Sequence, residues 1–403
     1  MKRLLVLTFI VVMLLSLGIV ASAIDLEQAT AGTEDELSNA LSSGKYVVLT
    51  DNVVVNGTIT IPHGVESVLD LNGYYVTYVI DETVSANTFL IENNGILTVK
   101  STGEENQICL TYNGANVAYT ISTIGNFGTI NVEGGAIINC ENGNQNISYA
   151  IDNLCSKRTA TINVNGGKVV GGVYGYCIRL FANSTKNDNV LNVKDGEIWY
   201  VFAQGSVDYA ARMTINVTGG LAYYVCLYSG TGETVNCEKI SIKLLASASE
   251  YGLYVDNVQE GYRVEERNGY YTLEHDITLE EIFSFMGVST RENGSGITVG
   301  YGFDKEAYEL YCIQNETTLD FGTHFAVSGK APLQSSLSAL AVSAGQFNVI
   351  VTGLNDSHLS LVLEMALYIN CKDGKKYATA NGVETAITAT YRVSDYYNGE
   401  VNA

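Results

Sequence analysis

Three charged residues have side chains of the kind that an elimination reaction uses: Glu92, Asp152 and Arg179. Each follows an apolar pair in a separate copy of a repeated unit, so stacking of the units would bring the three towards one outer face. Carboxylates are typical ligands of Ca²⁺, and charged side chains near a bound cation can take part in proton transfer. These residues are therefore the candidate catalytic set, and only this alternative requires a cofactor, Ca²⁺.

The same residues also have a simpler structural interpretation. An aspartate that lies over an arginine on neighbouring strands is a common ion pair on a solvated face, and it contributes about 0–1 kcal/mol to folding. Elimination needs several converging carboxylates, whereas the sequence supplies one good pair, Asp152 and Arg179. We predict that the protein has no catalytic site and that Arg179→Ala changes stability only slightly.

Aromatic side chains offer a binding function instead of catalysis. The chain contains 27 tyrosines and one tryptophan, and flat aromatic faces pack against the apolar faces of sugar rings. The candidate ligand-binding residues are Trp199, Tyr223, Tyr228 and Tyr254. A column of asparagines could form either a second sugar-binding strip or a hydrogen-bonded ladder, which we favour. Its members are Asn131, Asn163, Asn192, Asn216 and Asn236.

The cysteines and histidines show no spacing typical of a metal site. The eight cysteines contain no CxxC pair, and the four histidines are scattered, so we predict no metal. Cys109 and Cys140 lie about one repeat unit apart, which matches the reach of a disulfide if the chain is exported. Two unpaired thiols are the alternative.

A heptapeptide that occurs three times must position these residues. It reads TINVEGG, TINVNGG and TINVTGG, from Thr129, Thr161 and Thr214. Apolar and polar residues alternate within it, which is typical of a strand with one buried face, and the glycine pair suits a turn with positive φ. Looser copies place the fourth position of the motif at Leu71, Val99, Val132, Val164, Val193, Val217 and Cys237.

A second strand-like series runs through the same units, so we predict two strands per unit. Its aromatic column, two residues before an aliphatic column and so expected on the same inward face, is Phe89, Tyr119, Tyr149, Tyr176, Tyr200, Tyr224 and Tyr251. Its inward column is Ile91, Ile121, Ile151, Ile178, Phe202, Cys226 and Leu253. The outward column beside it is Glu92, Ser122, Asp152, Arg179, Ala203, Leu227 and Tyr254. Like residues at like positions indicate coils that stack along one axis.

The segments LDLNGYYV (69–76), IENNGILTV (91–99) and YAIDN (149–153), with the TINVxGG copies, resemble right-handed parallel β-helix repeats of the pectin-lyase-like architecture. Such repeats occur in bacterial secreted and adhesin-like surface proteins. The resemblance implies a parallel β-helix over roughly residues 45–275, and it leaves the activity open. The Asp152–Arg179 pair resembles the elimination site of pectate lyases. The resemblance implies an arginine base, Arg179, beside carboxylates that hold Ca²⁺, Glu92 and Asp152, and an acidic polysaccharide as the substrate. The paired-aspartate and Gly-His-Gly motifs of inverting β-helix hydrolases are missing.

The first 23 residues are typical of a secretion signal. Lys2 and Arg3 precede an apolar run that ends in the small-residue pattern Ala21-Ser22-Ala23. A retained membrane anchor is the alternative, but we predict cleavage and a secreted or cell-surface protein with no membrane association afterwards. With 43 acidic and 22 basic residues, the net charge of −21 repels phosphate backbones and excludes nucleic acid as a natural partner.

The segments on either side of the repeats predict different structures. TEDELSNALSSG (33–44) predicts a short helix with Thr33 as its N-cap, which would cover the open end of the stack. After His275 the motif stops, and several strand-like runs with one helix over 304–316 predict an immunoglobulin- or fibronectin-like β-sandwich. The predicted organisation is a signal peptide (1–23), a β-helix with its capping helix (24–275) and an accessory sandwich (276–403).

These observations favour a non-catalytic protein that acts in adhesion or carbohydrate binding. Its expected partners are glycans or other components of host or bacterial surfaces. The alternative is a polysaccharide lyase or glycoside hydrolase that acts on an acidic polysaccharide. The scarcity of converging catalytic groups and the near-uniform repeat favour the binding function, because an enzyme usually interrupts its repeats around a cleft.

Overall fold

The protein is described by a computed structural model that forms two compact units, residues 1–274 and 275–403. The structure describes residues 26–115, 118–142, 148–172, 176–181, 186–204, 212–228, 235, 237–290, 296–315, 321–327, 333–336, 345–352, 362–371, 374–378, 384–385 and 389–392. The predicted signal peptide lies outside these residues. Within them, no helix has both the length and the apolar character needed to cross a membrane.

The first unit is a parallel β-solenoid whose chain winds through three sheets in turn. Sheet 1 contains Gln28–Ala31, Tyr46–Leu49, Glu66–Asp70, Ile96–Lys100, Thr129–Val132, the starts of Ala160–Gly171 and Asn189–Gln204, Met213–Val217 and Ile240–Leu245. Sheet 2 contains Val53–Val54, Val76–Ile80, Asn106–Tyr112, Ala136–Asn142, the end of Ala160–Gly171, the middle of Asn189–Gln204 and the start of Leu221–Tyr228. Sheet 3 contains Ile59–Ile61, Thr88–Asn93, Ile121–Asn126, Ser148–Leu154, Tyr176–Phe181, the ends of Asn189–Gln204 and Leu221–Tyr228, and Leu253–Val255.

The prediction of two strands per turn is wrong, because sheet 2 supplies a third. Its strands have a buried column of their own, but the column follows the TINVxGG motif at a variable distance and varies in residue type, so the sequence did not reveal it as a repeat. The column is Val76, Ile108, Ile138, Val169, Ile198 and Ala222. In two turns the corner between sheets 1 and 2 lies inside one continuous strand, Ala160–Gly171 or Asn189–Gln204. The parallel β-helix is therefore present, while its right-handed winding stays a prediction.

The register of sheet 1 confirms the central part of the predicted valine column. Val99, Val132, Val164, Val193 and Val217 pair in sequence and are fully buried. Burial of each such side chain stabilises the fold by about 1.5–3 kcal/mol.

The two ends of that column are wrong. Leu69 rather than Leu71 pairs with Val99, and Leu244 rather than Cys237 pairs with Val217. In LDLNG, apolar residues recur at every second position, so the pattern alone permits a shift by two residues.

The asparagine column of sheet 1 forms a hydrogen-bonded ladder, as predicted. Each side-chain amide donates to the previous rung at 2.9 to 3.1 Å, and the ladder starts at the hydroxyl of Thr98. Its members are Asn131, Asn163, Asn192 and Asn216. They are half-buried on the outer face, where water can also reach them. Asn236 lies outside the described residues.

The glycine pair of the motif turns the chain between sheets 1 and 2. In the first copy only the second glycine, Gly135, has a positive φ, +79°. A Cβ atom there would also collide with the carbonyl oxygen of Ser101 in the rung below, whereas a Cβ on Gly134 would meet open space. The second glycine is therefore required both by conformation and by the close stacking of the corners.

Gly135→Ala is expected to lower the free energy of unfolding by about 1–3 kcal/mol or more, because alanine would be strained at this φ and would push the corners apart. Gly134→Ala, one residue earlier, is the matched control and should change stability by less than about 1 kcal/mol. Urea unfolding followed by circular dichroism measures both. Equal effects of the two substitutions would contradict this description of the corner.

Both ends of the solenoid are covered. Helix α1, Glu34–Ser42, begins after Thr33, whose hydroxyl accepts the N–H of Glu36, and it buries Leu37, Ala40 and Leu41. This confirms the predicted helix. Parallel pairing already begins at Gln28, before the predicted start.

At the C-terminal end of the solenoid, the strands Tyr262–Arg267 and Tyr270–His275 flank a turn at Asn268–Gly269, where both φ values are positive, as in hairpin turns. The second strand pairs antiparallel with Ile240–Leu245, so parallel stacking ends before residue 275.

The second unit contains two antiparallel sheets. One consists of Phe283–Thr290, Gly296–Phe303 and Gln346–Thr352. The other consists of Leu333–Ser336, Phe321–Val327, Val362–Cys371, Gly374–Ala378, Glu384–Thr385 and Ala389–Arg392. Helix α2 is Leu279–Ile282, and the predicted helix is α3, Lys305–Gln314, which Asp304 caps. Both sheets are antiparallel, and their packing as a β-sandwich, immunoglobulin- or fibronectin-like, stays a prediction.

Candidate functional site

The outer face of sheet 3 brings together most of the candidate residues, in a register that corrects the predicted one. The column that contains Asp152 and Arg179 reads Glu92, Gly125, Asp152, Arg179, Phe202, Cys226 and Tyr254. Ser122, Ala203 and Leu227 were predicted in this column and do not belong to it. The inward column reads Ile91, Ile124, Ile151, Ile178, Val201, Val225 and Leu253, so the predicted Ile121, Phe202 and Cys226 are also wrong.

The aromatic column is confirmed in part. Tyr176, Tyr200 and Tyr224 lie in register on consecutive turns. In the earlier turns Phe89 and Tyr149 both pair with Ser122, so Tyr119 is outside the column and the prediction for it is wrong. The sequence pattern aligned YTIS with YAID through their tyrosines, whereas the strands align Ser122 with Tyr149.

Asp152 and Arg179 form a bidentate ion pair. Nε of Arg179 donates to Oδ1 of Asp152 at 2.8 Å, and Nη2 donates to Oδ2 at 2.7 Å. Nη2 also donates to the hydroxyl of Thr120 at 3.1 Å. The guanidinium carbon lies 4.8 Å from the ring centre of Tyr149 and 4.6 Å from that of Phe181. The arginine is thus held on several sides.

The prediction that this pair lies on a solvated face is wrong. Asp152 is 0% exposed and Arg179 is 8% exposed. Burial by itself would lower the pKa of Arg179, but the carboxylate of Asp152 more than offsets this, so the pKa of the guanidinium is raised. A guanidinium that holds its proton so firmly is poorly suited to act as a general base. The pair is suited instead to fix neighbouring turns of sheet 3.

Glu92 lies apart from the pair. Gly125 occupies the rung between Glu92 and Asp152, so the two carboxylates are separated by two rungs, about 10 Å. Glu92 instead accepts hydrogen bonds from Lys157 at 3.4 Å and from Asn94 at 2.9 Å. Across the described part of the chain, no three His, Cys, Asp or Glu side chains converge in a way that could hold a metal ion.

An aromatic strip covers the C-terminal part of the same face. Its members are Tyr200, Phe202, Tyr224, Tyr228, Tyr251 and Tyr254. The ring of Tyr224 lies 5.6 Å from that of Tyr200 and 6.4 Å from those of Tyr251 and Tyr254, and the rings of Phe202 and Tyr228 are 5.5 Å apart. Tyr251 is 61% exposed and Tyr254 is 48% exposed. The strip therefore contains two groups of contacting rings on one face, and water reaches Tyr251 and Tyr254 most.

The four predicted binding residues lie in or beside this strip. Tyr228 and Tyr254 belong to it, and Tyr223 accepts the N–H of Tyr251 with its backbone oxygen at 2.9 Å. Trp199 precedes Tyr200, is 44% exposed and donates its indole N–H to Glu197 at 3.1 Å. The sequence analysis placed Tyr200, Tyr224 and Tyr251 in one column on the inward face, whereas the structure places their rings on this outer surface, with Tyr251 61% exposed.

A second asparagine ladder, which the sequence analysis missed, is buried along the edge of sheet 3. Asn93 donates to Asn126 at 2.8 Å, Asn126 donates to Asn153 at 2.5 Å, and Asn153 donates to Asn189 at 2.5 Å. All four side chains are 0% exposed. Asparagine two residues after a buried isoleucine, in IEN, IGN and IDN, was the available signal.

Cys109 and Cys140 lie on neighbouring rungs of sheet 2, and both are free thiols in the structure. Cys109 pairs with Asn139, and Cys140 pairs with Leu110, so the two side chains point to opposite faces of the sheet. Burial raises the pKa of Cys109 to about 11 and that of Cys140 to about 12. This arrangement does not favour the predicted disulfide.

We expect both thiols to react completely with iodoacetamide in denaturant without any reductant, because no bond joins them. Peptide mass spectrometry of the alkylated chain measures this, with a reduced sample as the reference. A disulfide-linked pair of peptides that contain Cys109 and Cys140 would show that the prediction from their spacing is correct and that the structure lacks a bond present in the protein.

Comparison with protein families, with curated proteins and with solved structures gives no match to this chain. The function must therefore be argued from the chemistry of sheet 3 itself.

Proposed function

We propose that the protein is an exported, non-catalytic β-helix protein of the pectin-lyase-like architecture that binds neutral glycans on host or bacterial surfaces along the outer face of sheet 3. The observation that carries this proposal is the aromatic strip, in which the half-buried rings of Tyr200 and Tyr224 lie on consecutive turns and lead to the exposed rings of Tyr251 and Tyr254. Such rings can pack against the apolar faces of consecutive sugar units.

The charges on this face support a neutral ligand. Asp152 neutralises Arg179, the one arginine in the columns of sheet 3, and both are too buried to contact a polymer. The net charge of −21 further disfavours an acidic polysaccharide. Tyrosine hydroxyls at the ring edges can exchange hydrogen bonds with sugar hydroxyls.

A double variant, Tyr251→Ala with Tyr254→Ala, tests the proposal. We expect wild-type protein to bind at least one member of a panel of neutral oligosaccharides, and the variant to bind it about tenfold or more weakly, since two ring contacts are lost. Calorimetry measures both affinities. Tyr75→Ala is the matched control, because Tyr75 is 44% exposed and lies outside sheet 3. Unchanged affinity of the double variant, or an equal loss in the control, would refute the proposal.

The alternative function, a lyase acting on an acidic polysaccharide, predicts a different result. Polygalacturonate incubated with the protein and Ca²⁺ would yield unsaturated products that absorb ultraviolet light, and Glu92→Gln would abolish them. We expect no such products, because Glu92 is two rungs from Asp152 and Arg179 is fully paired. Turnover that depends on Glu92 would establish the lyase instead.

A further inference from the structure

A groove of about 290 Å³ lies at the corner where the chain passes from sheet 3 to sheet 1. Successive turns stack there, and the glycines at the corner, Gly95 and Gly128, let the backbones approach closely. Side chains that line the groove are His63, Glu66, Asn94, Thr129, Arg158 and Thr159. Its volume is at the lower end of the range for ligand sites, which suits a small ligand.

Arg158 is unusual among the arginines of this acidic protein. The structure describes five arginine side chains, and Arg179, Arg212, Arg263 and Arg267 each form an ion pair with a carboxylate. Arg158, the fifth, is half-buried and has no carboxylate partner among the described residues. An arginine without a carboxylate partner is unusual in a chain that has 43 acidic and 22 basic residues.

The contacts of Arg158 hold it in the groove and leave most of its donors available. Nη1 donates to the backbone oxygen of Asn94 at 2.5 Å and contacts Nδ1 of His63. Because an arginine N–H can only donate, Nδ1 of His63 is the acceptor in this contact. Nε and Nη2 of Arg158 have no protein acceptor in the described part of the chain, so an oxyanion could accept from both.

The groove also offers neutral donors beside this cation. Thr129, Thr159 and His63 also line it, and each has a polar side chain that can take part in hydrogen bonds. Glu66 is the carboxylate in the lining, and it forms no ion pair with Arg158. A planar guanidinium with two free donors matches the geometry of a carboxylate or a phosphate.

We propose that this groove binds a small ligand through an oxyanion, a carboxylate or a phosphate group, with Arg158 as the charged contact. The net negative charge of the protein opposes anions at long range, but salt screens that field beyond about 8 Å at physiological ionic strength. The contact itself is short and is screened much less. This site is separate from the aromatic strip in both position and ligand charge, so either proposal can fail alone.

Calorimetric titration of the full-length protein in low-salt buffer tests the groove. The probes are inorganic phosphate, galacturonate and galactose, which share size or ring structure but differ in charge. We expect phosphate or galacturonate to bind and galactose not to bind. Arg158→Gln should weaken the anion at least tenfold, and Arg158→Lys should weaken it less, because it keeps the charge but loses the planar fork. Arg212→Gln, which removes an exposed arginine elsewhere, should leave the affinity unchanged.

Several outcomes would overturn the proposal. These are no binding of either anion, binding of galactose as strong as that of galacturonate, or an equal affinity in wild type and Arg158→Gln. Circular dichroism and the melting temperature of each variant establish that it is folded before titration. The two anions distinguish two kinds of natural ligand. Preference for phosphate indicates a phosphorylated ligand, and preference for galacturonate indicates an acidic sugar.

Discussion

Arg179→Ala should lower the free energy of unfolding by about 3–5 kcal/mol, because it leaves the fully buried carboxylate of Asp152 without its partner. The change also removes the cation from its place beside the rings of Tyr149 and Phe181. From the sequence alone, an exposed pair worth about 0–1 kcal/mol was expected. The buried and the exposed descriptions of this ion pair therefore differ several-fold in the loss of unfolding free energy that they predict for Arg179→Ala.

Urea unfolding of purified variants decides between them. Arg212→Ala is the matched control: Arg212 pairs with Asp188 at 2.8 Å, but its side chain is 70% exposed, so the loss should stay below about 1 kcal/mol. The double variant Asp152→Leu with Arg179→Met should recover part of the lost stability, because it leaves no unpaired charge. A loss below about 1 kcal/mol for Arg179→Ala would mean that water reaches the pair.

Asn126→Ala is expected to have the second large effect, a loss of about 2–4 kcal/mol. Asn126 accepts from Asn93 and donates to Asn153 at 2.5 Å, to Thr161 at 3.1 Å and to Gly128 at 3.2 Å. Alanine would leave buried acceptors unpaired where water cannot replace the amide, and each such group costs about 1–3 kcal/mol.

The half-buried ladder of sheet 1 provides a control of the same residue type. Asn163 makes similar contacts with its two neighbours at 2.9 Å, but water can replace them, so Asn163→Ala should cost less than about 1 kcal/mol. Both variants are measured by urea unfolding under one set of conditions. Equal losses in the two variants would show that burial does not distinguish the ladders.

The sequence predicted sheet 1 well because its strands repeat the same side chains. Val132, Val164 and Val217 follow the same residues in three copies, so one register satisfies all of them. The N-cap at Thr33 likewise carries a specific local signal, and helix α1 begins after it. At these positions the residue type itself specifies the local backbone, so the sequence pattern was sufficient to predict the structure.

The register of sheet 3 was harder to predict because its apolar positions do not alternate strictly. Leu90 and Ile91 are adjacent and both fully buried, so period-two alignment has no unique solution there. Alignment through tyrosines then placed Tyr119 where Ser122 lies. Sheet 2 was missed because its buried aliphatic column, which includes Ile108, Ile138 and Val169, lies at a variable distance from the TINVxGG motif and is not accompanied by a recurring turn.

The sequence could predict which residues of the candidate site are neighbours, but not which of them are buried and which are exposed. Asp152 and Arg179 were correctly placed on neighbouring rungs, since stacking alone determines that. Their burial could not be foreseen, because it depends on Tyr149 and Phe181, which share the two strands of the pair and pack on the guanidinium, and on Thr120, which comes from the preceding turn. The aromatic strip likewise needs the correct register before Phe202 and Tyr254 join one column.

Hydroxyl-radical footprinting of the protein with a bound neutral oligosaccharide tests most directly whether sheet 3 is the binding face. We predict that the ligand protects Tyr251 and Tyr254 from oxidation, while Tyr75, which is 44% exposed and outside sheet 3, is oxidised equally with and without it. Protection of Tyr75 with no change at Tyr251 and Tyr254 would contradict the assignment of glycan binding to the aromatic strip.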